Sequence, residues 1–427
     1  MLGVGLDGPL GADGVPADTV GRPPGHRSVD GGERDAWAVL ATVDGLGPAA
    51  FAVLLARFGS ARAVLDTARR PSGVRELAES GAVDRVGTEG RSHHRIGEAV
   101  AREIVVVAGS AEAIAERIRR TGAAVITLDD PGYPARLRRI HLPPAVLFVH
   151  GDVTALDRRR ACAVVGTRHP SGYGRMTAAR ISHALVAASA TVVSGLALGI
   201  DGASHEATLR QGGVTVAVLG SGIGVIAPAT HRRLADAIVA RGGAIVSELG
   251  PDVRPGRGTF PRRNRLISGL ADATVVVEAP AKSGSLLTAA WALEQGRPCF
   301  VVPGPIDAPT AAGCLSLLHE LPGEVRIVSG VPQLIADLGF VDDSAAIRSA
   351  PVAAAVQSLG TTEARVAAEL LAGRVTVDEL VAVTGMTVAT VLATLTLLER
   401  QGLVAGTYGR YRPAGALLAP AGPPRPR

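Results

Sequence analysis

Between residues 161 and 302 the chain repeats one pattern: a short continuous apolar run, then a segment of helical length and spacing. The runs occupy 161–165, 191–193, 215–219, 244–246, 273–277 and 299–302, and 176–188 and 286–295 typify what separates them. Apolar runs without polar alternation predict strands buried on both faces, and regular strand–helix alternation predicts a parallel, doubly wound sheet. Residues 303–340 add a Pro/Gly-rich loop, a short helix, an edge strand at 326–328 and a helix at 331–338.

The flanks read differently. Residues 37–110 predict a helical domain in which Asp44-Gly45-Leu46-Gly47-Pro48 separates the apolar run 37–43 from a helix at 50–58. A Gly-x-Gly turn entering a helix exposes N–H groups that can hold a phosphate, as helix-hairpin-helix modules do. Few basic residues flank it (Arg57, Arg62), so a plain structural cap fits better. Residues 111–340 form the sheet domain with its leading extension, where Tyr133-Pro134 and Pro143-Pro144 punctuate an extended stretch ending in a strand. After a small-residue linker at 341–360, three short helices and a hairpin over 361–412 predict a winged helix. Residues 1–36 and 413–427, rich in Gly, Pro and Ala, read as disordered tails.

Composition narrows the chemistry. The net charge is +5 and the pI about 9.6, compatible with a polyanionic partner. Three cysteines (Cys162, Cys299, Cys314) form no CxxC and no zinc pattern. They read as buried small hydrophobes and suit a reducing cytosol. The most apolar stretch, 184–200, is interrupted by Ser189, Thr191, Ser194 and Gly195. It predicts helix–turn–strand rather than a membrane span.

Candidate chemistry gathers at the strand ends. Gly166-Thr167-Arg168 follows the first strand, and Arg168 puts a fixed cation where an open sheet binds anions. Ser194-Gly195 follows the second, and Asp201 and His205 lie i,i+4 on the next helix. They form either an acid/base pair or, the better reading, a helix cap and a loop anchor. Gly220-Ser221-Gly222-Ile223-Gly224 allows close approach of a ligand or another loop. Ser247-Glu248 follows the fourth strand, with Glu248 bracing Arg263 or Arg265. Phe260, Arg262, Arg263, Asn264 and Arg265 form a basic turn, and Lys282-Ser283-Gly284-Ser285 opens a helix. An aromatic outside the strand runs and beside cations suits a nucleobase next to its phosphate. Walker A and full dinucleotide-binding patterns are absent, so neither ATPase nor NAD chemistry is supported.

Together these motifs resemble the DprA/Smf family (DNA-processing protein A). The pattern comprises Tyr133-Pro134 with Pro143-Pro144 and Gly151, then Val165-Gly166-Thr167-Arg168 with Ser171, Tyr173 and Gly174, then Ser194-Gly195 with Asp201 and His205. Phe260-Pro261 with Arg263-Asn264-Arg265, Lys282-Ser283-Gly284-Ser285 with Thr288-Ala289, and Val302-Pro303-Gly304 complete it. The resemblance spans about 37–340, and the winged helix resembles a tail many members carry. It implies an extended Rossmann-like core between a helix-hairpin-helix or SAM-like domain and the winged helix. It also implies single-stranded DNA binding, protection of incoming DNA, homodimerisation and loading of the RecA recombinase in natural transformation. No catalytic activity, cofactor, metal or membrane partner is implied. By position, Gly166, Thr167, Arg168, Ser194, Gly195, Phe260, Arg263, Asn264, Arg265, Lys282, Ser283 and Gly284 would form the DNA pocket.

Two segments depart from the family pattern. Ala227-Pro228 replaces Tyr-Pro, which would weaken one pocket wall, and Gly313-Cys314-Leu315-Ser316-Leu317-Leu318 lacks the usual Asn. A phosphoribohydrolase-like enzyme using Glu248 or Glu278 is the main alternative, although Pro280-Ala281-Lys282-Ser283-Gly284-Ser285 lacks that family's glycine pair. A winged-helix regulator is a third reading, weakened because the third helix of that domain has only Arg400 as a base.

Overall fold

The computed structural model describes residues 30–79, 96–340 apart from Arg257, and 359–413 apart from Gly373, Val375, Tyr408 and Gly409. The tails expected at 1–36 and 413–427 and the linker expected at 341–360 fall largely outside the described residues. Two compact units divide the chain near residue 338.

The first unit begins with helices α1 (Gly31–Leu40), α2 (Pro48–Phe58), α3 (Ala61–Ala68), α4 (Gly73–Ala78), α5 (Glu98–Gly109) and α6 (Ala111–Arg120). α1 starts inside the stretch read as a tail. Asp30 caps it by accepting from the Glu33 N–H (2.7 Å), so the helix starts at its cap and not at its first large apolar residue. Trp37 and Phe51 pack with ring centroids 5.1 Å apart.

A nine-stranded sheet follows: β1 (Ala124–Thr127), β2 (Val146–Gly151), β3 (Ala161–Val165), β4 (Thr191–Ser194), β5 (Thr215–Val218), β6 (Ala244–Ser247), β7 (Ala273–Val276), β8 (Cys299–Val301) and β9 (Val325–Ile327). Its order is β1-β2-β6-β5-β4-β3-β7-β8-β9. β3 to β9 are all parallel, while β1 and β2 add antiparallel strands beside β6. The parallel strands β3 to β8 are those the six apolar runs predict, and β9 is the edge strand expected at 326–328, one residue earlier. β1 was not anticipated, because four residues at a half-exposed edge carry little pattern of their own.

Helices α7 (Ala135–Arg138), α8 (Gly172–Ala187), α9 (Ile200–Arg210), α10 (Arg232–Ala240), α11 (Thr259–Gly269), α12 (Ser285–Glu294), α13 (Ala312–Glu320) and α14 (Val331–Asp337) accompany the sheet. Both faces are covered. Val146 and Phe148 of β2, Ala217 of β5 and Ile245 of β6 share a core with the helical domain. Their neighbours Leu147, Val149, Val216, Val218, Ala244 and Val246 belong to a second core with Leu266 and Ile267 of α11. Consecutive side chains thus alternate between two dry layers, which requires the unbroken apolar runs. Cys162, Cys299 and Cys314 are buried free thiols whose pKa values burial pushes upward. Among the described residues, no single helix is long and apolar enough to cross a membrane.

One local reading is corrected. The basic turn at 260–265 is the first half of α11. Pro261 lies in its opening turn, where a missing N–H breaks no intrahelical bond, so the Pro/Arg-rich sequence conceals a helix.

The second unit is a winged helix: α15 (Thr361–Leu371), α16 (Val377–Thr384), α17 (Val388–Arg400) and an antiparallel hairpin of β10 (Val404–Thr407) and β11 (Arg410–Pro413). Its core is Val366, Leu370, Leu380, Val391, Leu395, Leu398 and Val404. A capping box between Thr376 and Glu379 starts α16.

Candidate functional site

β3 lies between β4 and β7, and the chain leaves it toward β4 while β7 leads on to β8. The loops after β3 and β7 therefore diverge and open a crevice at the carboxyl ends of the strands, where doubly wound sheets take ligands. A cavity of about 340 Å³ sits there. It is lined by Gly166, Thr167 and Arg168 after β3, by Phe260, Arg263 and Asn264 of α11, and by Ser283 and Gly284 before α12.

The loops are fixed by buried polar contacts. The Thr167 N–H donates to Glu278 O (2.7 Å) and the Ile200 N–H to Thr167 O (3.2 Å). Glu278 accepts from the Ser171 N–H (3.0 Å) and hydroxyl (3.1 Å) at the start of α8. Asn264 Nδ2 donates to Gly284 O (3.0 Å), tying the start of α11 to that of α12. Asp201, buried, accepts from the Gly195 N–H (3.1 Å) and the Ala197 N–H (3.4 Å). Burial raises its pKa against the pull of Arg263. His205 is fully buried against the Thr215 hydroxyl (2.7 Å), and burial lowers its pKa to about 3. Asp201 thus anchors the loop after β4 and walls the cavity instead of capping its helix, and His205 ties α9 to the start of β5 and not to a loop.

The two cavity arginines differ. Arg263 is 5% exposed, and burial lowers its pKa to about 10. Its Nη1 donates to Val218 O (2.7 Å), while its buried Nε has no partner in the chain. Its guanidinium rests on Gly195, where a Cβ would lie 1.8 Å from Nη1. Only glycine admits it. Arg168 is exposed, with its Cζ 5.1 Å from the Phe260 ring centroid; the Cζ of Arg263 lies 5.9 Å from the same centroid. Phe260 is half-buried rather than bare, because its ring packs on Gly220, where a Cβ would come within 2.7 Å of Cδ1. The ring supports guanidinium groups by cation–π contact.

Not every expected residue joins this group. Arg265 is 7% exposed and does not line the cavity. Its Nη2 pairs with Glu248, so Glu248 braces Arg265 and not Arg263. Burial raises the pKa of Glu248 against that pairing. Ser194 is buried, its hydroxyl donating to Val164 O (2.7 Å), and Gly195 contributes by admitting Arg263. Lys282 is exposed in the loop whose Pro280, Ser283 and Gly284 line the cavity. Ala227-Pro228 forms no wall of the cavity, contrary to expectation, and the segment from Gly313 lies in α13. Gly222 approaches another loop, at Gly250 and Pro251. The sequence reading did not anticipate Leu287, an exposed apolar residue of α12, in the lining, and exposure is not legible in one chain.

The fold and site define an α/β protein with an arginine-lined crevice at its switch point and a winged helix as a second unit. Residues 124–336 match the family described as DNA recombination-mediator protein A, and residues 350–410 match the DprA winged helix domain. Protein Smf of Synechocystis is 36% identical over 322 residues, 67% of this chain and 79% of its own. A putative DNA processing protein DprA of Mycobacterium tuberculosis is 39% identical over 312 residues, 70% of this chain and 78% of its own. The X-ray structure of DNA processing protein A from Streptococcus pneumoniae superposes with a TM-score of 0.57 at 29% identity, covering 71% of this chain and 97% of its own. The chain belongs to the DprA/Smf family of DNA-processing proteins.

Proposed function

We propose that this protein binds single-stranded DNA in the switch-point crevice, without sequence preference, and passes it to the RecA recombinase in natural transformation and recombination. The observation that carries the reading is Arg263, a buried guanidinium whose Nε has no partner in the chain, lining the cavity with Arg168. Two guanidinium groups fixed in one crevice favour a phosphate between them. Arg168, held over Phe260, offers its edge to a phosphate and its plane to a base. Lys282 adds charge at the exposed rim, and the backbone at Gly166, Thr167, Ser283 and Gly284 shapes the walls. Asn264 and Arg265 act indirectly by fixing α11.

The transfer step is supported by membership of a family described as recombination mediators. The reading includes a cytosolic homodimer without catalytic turnover. Glu248 and Glu278, the carboxylates an enzyme would need, are occupied by Arg265 and by Ser171. The outward residues Val388, Leu392 and Leu397 of α17 are apolar, which favours protein contact over base reading.

The test is a gel shift with single-stranded and duplex DNA beside a nucleotide-hydrolysis assay. Preference for the single strand, weakening with salt at a slope of about −0.7 per phosphate contacted, is expected, with hydrolysis at background. Duplex preference or salt-independent binding would overturn the proposal.

A further inference from the structure

A second cavity, of about 520 Å³, shares Arg168 and His169 with the first. Its other walls include Arg175, Leu198, Glu206 and His231, none of which the single-strand reading uses. We propose that this cavity holds the neighbouring nucleotide of the same strand, so that Arg168 meets the phosphate between two nucleotides. The inference rests on the single-strand reading and extends it from one unit to a run.

Three observations support a nucleotide there. The first is charge: Arg168 and Arg175 are exposed, and Glu206 is the one carboxylate among the lining residues. Arg175 Nη1 donates to Pro170 O (3.0 Å), which steadies the guanidinium and leaves its remaining N–H groups for a phosphate. The second is an apolar surface: Leu198 is 42% exposed in the cavity wall, a face on which a base can lie. The third is His231. Its Nδ1 stands 2.9 Å from Leu196 O, and a carbonyl only accepts, so Nδ1 carries the proton. In the neutral ring Nε2 is then an acceptor for a base N–H. The ring is held tightly, since a Cβ on Gly202 would come within 2.7 Å of its Cε1.

Continuity favours a strand over an unrelated small ligand. Two cavities sharing one exposed guanidinium cannot both present it to separate anions without mutual repulsion. A phosphodiester satisfies both with a single charge. Glu206 then becomes informative. It lies 3.9 Å from Arg210 in a weak, exposed pair, so its carboxylate adds negative potential where the backbone would pass.

The experiment measures anisotropy of labelled oligo(dT) with the full chain across a salt series. Glu206→Gln should tighten binding by about twofold to fivefold, and Arg175→Ala should weaken it by about threefold to tenfold with a salt slope shallower by about 0.7. Both side chains are exposed, so neither change threatens the fold. If both variants bind as wild type while Arg168→Ala is weakened, the second cavity lies off the strand's path and the inference fails alone. If wild type does not bind oligo(dT), the single-strand reading fails and takes this inference with it.

Discussion

Replacing Phe260 by Leu separates its bulk from its π-face. Leucine can still pack on Gly220, so the fold should change little, by less than about 1.5 kcal/mol for a hydrophobic swap of similar size. The ring's quadrupole is lost, however, and with it the contacts at 5.1 and 5.9 Å that hold Arg168 and Arg263. Cation–π contacts contribute about 0.5–2 kcal/mol from exposed to desolvated sites, so single-strand binding should weaken by about two- to thirtyfold. Fluorescence anisotropy with wild type, Phe260→Leu, Arg168→Ala and the double variant completes a cycle. Once Arg168 is absent, losing the ring should cost less, by a coupling of at least about 0.5 kcal/mol, with Arg263 accounting for the remainder. A direct base platform acting independently of Arg168 would give additive losses. Additivity within about 0.3 kcal/mol, or wild-type binding by Phe260→Leu, would refute the role of the ring as a support for arginine.

Gly195→Ala should push the Arg263 guanidinium from its seat and weaken binding by about tenfold or more, since a hydrogen bond to a charged group contributes about 1.5–3 kcal/mol; a denaturation midpoint near wild type would separate this from misfolding. Glu248→Ala should leave Arg265 buried without its counter-ion and destabilise the first unit by about 3–5 kcal/mol in denaturant titration; an unchanged midpoint would count against the brace. His205, with its pKa lowered to about 3 in the folded chain, is neutral there but protonates in the unfolded chain below about 6.5. Its stabilising contribution is therefore complete above that pH and is lost as pH falls, by up to about 1.4 kcal/mol per unit between 6.5 and 3. His205→Asn should flatten this slope, and an unchanged slope would count against it. A chain ending after Ala345 should bind single strands within a few-fold of the full chain; a loss above about tenfold, 1.4 kcal/mol, would give the winged helix a direct role.

The parallel strands were legible because two-sided burial demands unbroken apolar runs, which a sequence displays directly. At the antiparallel edge β2 was legible as the strand ending the Pro-punctuated stretch, but β1 and the pairing of β2 with β6 were not, since which strand lies beside β6 depends on the whole assembly. At the site, the residue types were readable but their destinations were not. Arg262 to Arg265 look like one basic cluster. On a helix each successive residue turns by about 100°, so Arg263 meets the cavity, Asn264 the α12 loop and Arg265 the Glu248 carboxylate. Phe260 looked free in sequence because its packing partner, Gly220, lies at the end of a different strand.

The core shared between the N-terminal helices and the sheet sets a limit on trimming this protein. Phe148 and Ile245 are 0% and 2% exposed in a core to which Trp37 and Leu40 also belong. Cutting the helices away would expose the apolar side chains of β2, β5 and β6 that now pack on them. A fragment carrying the sheet must therefore retain the helical domain or carry polar replacements at those positions. In modular terms the helices are a fixed wall of the sheet's own building.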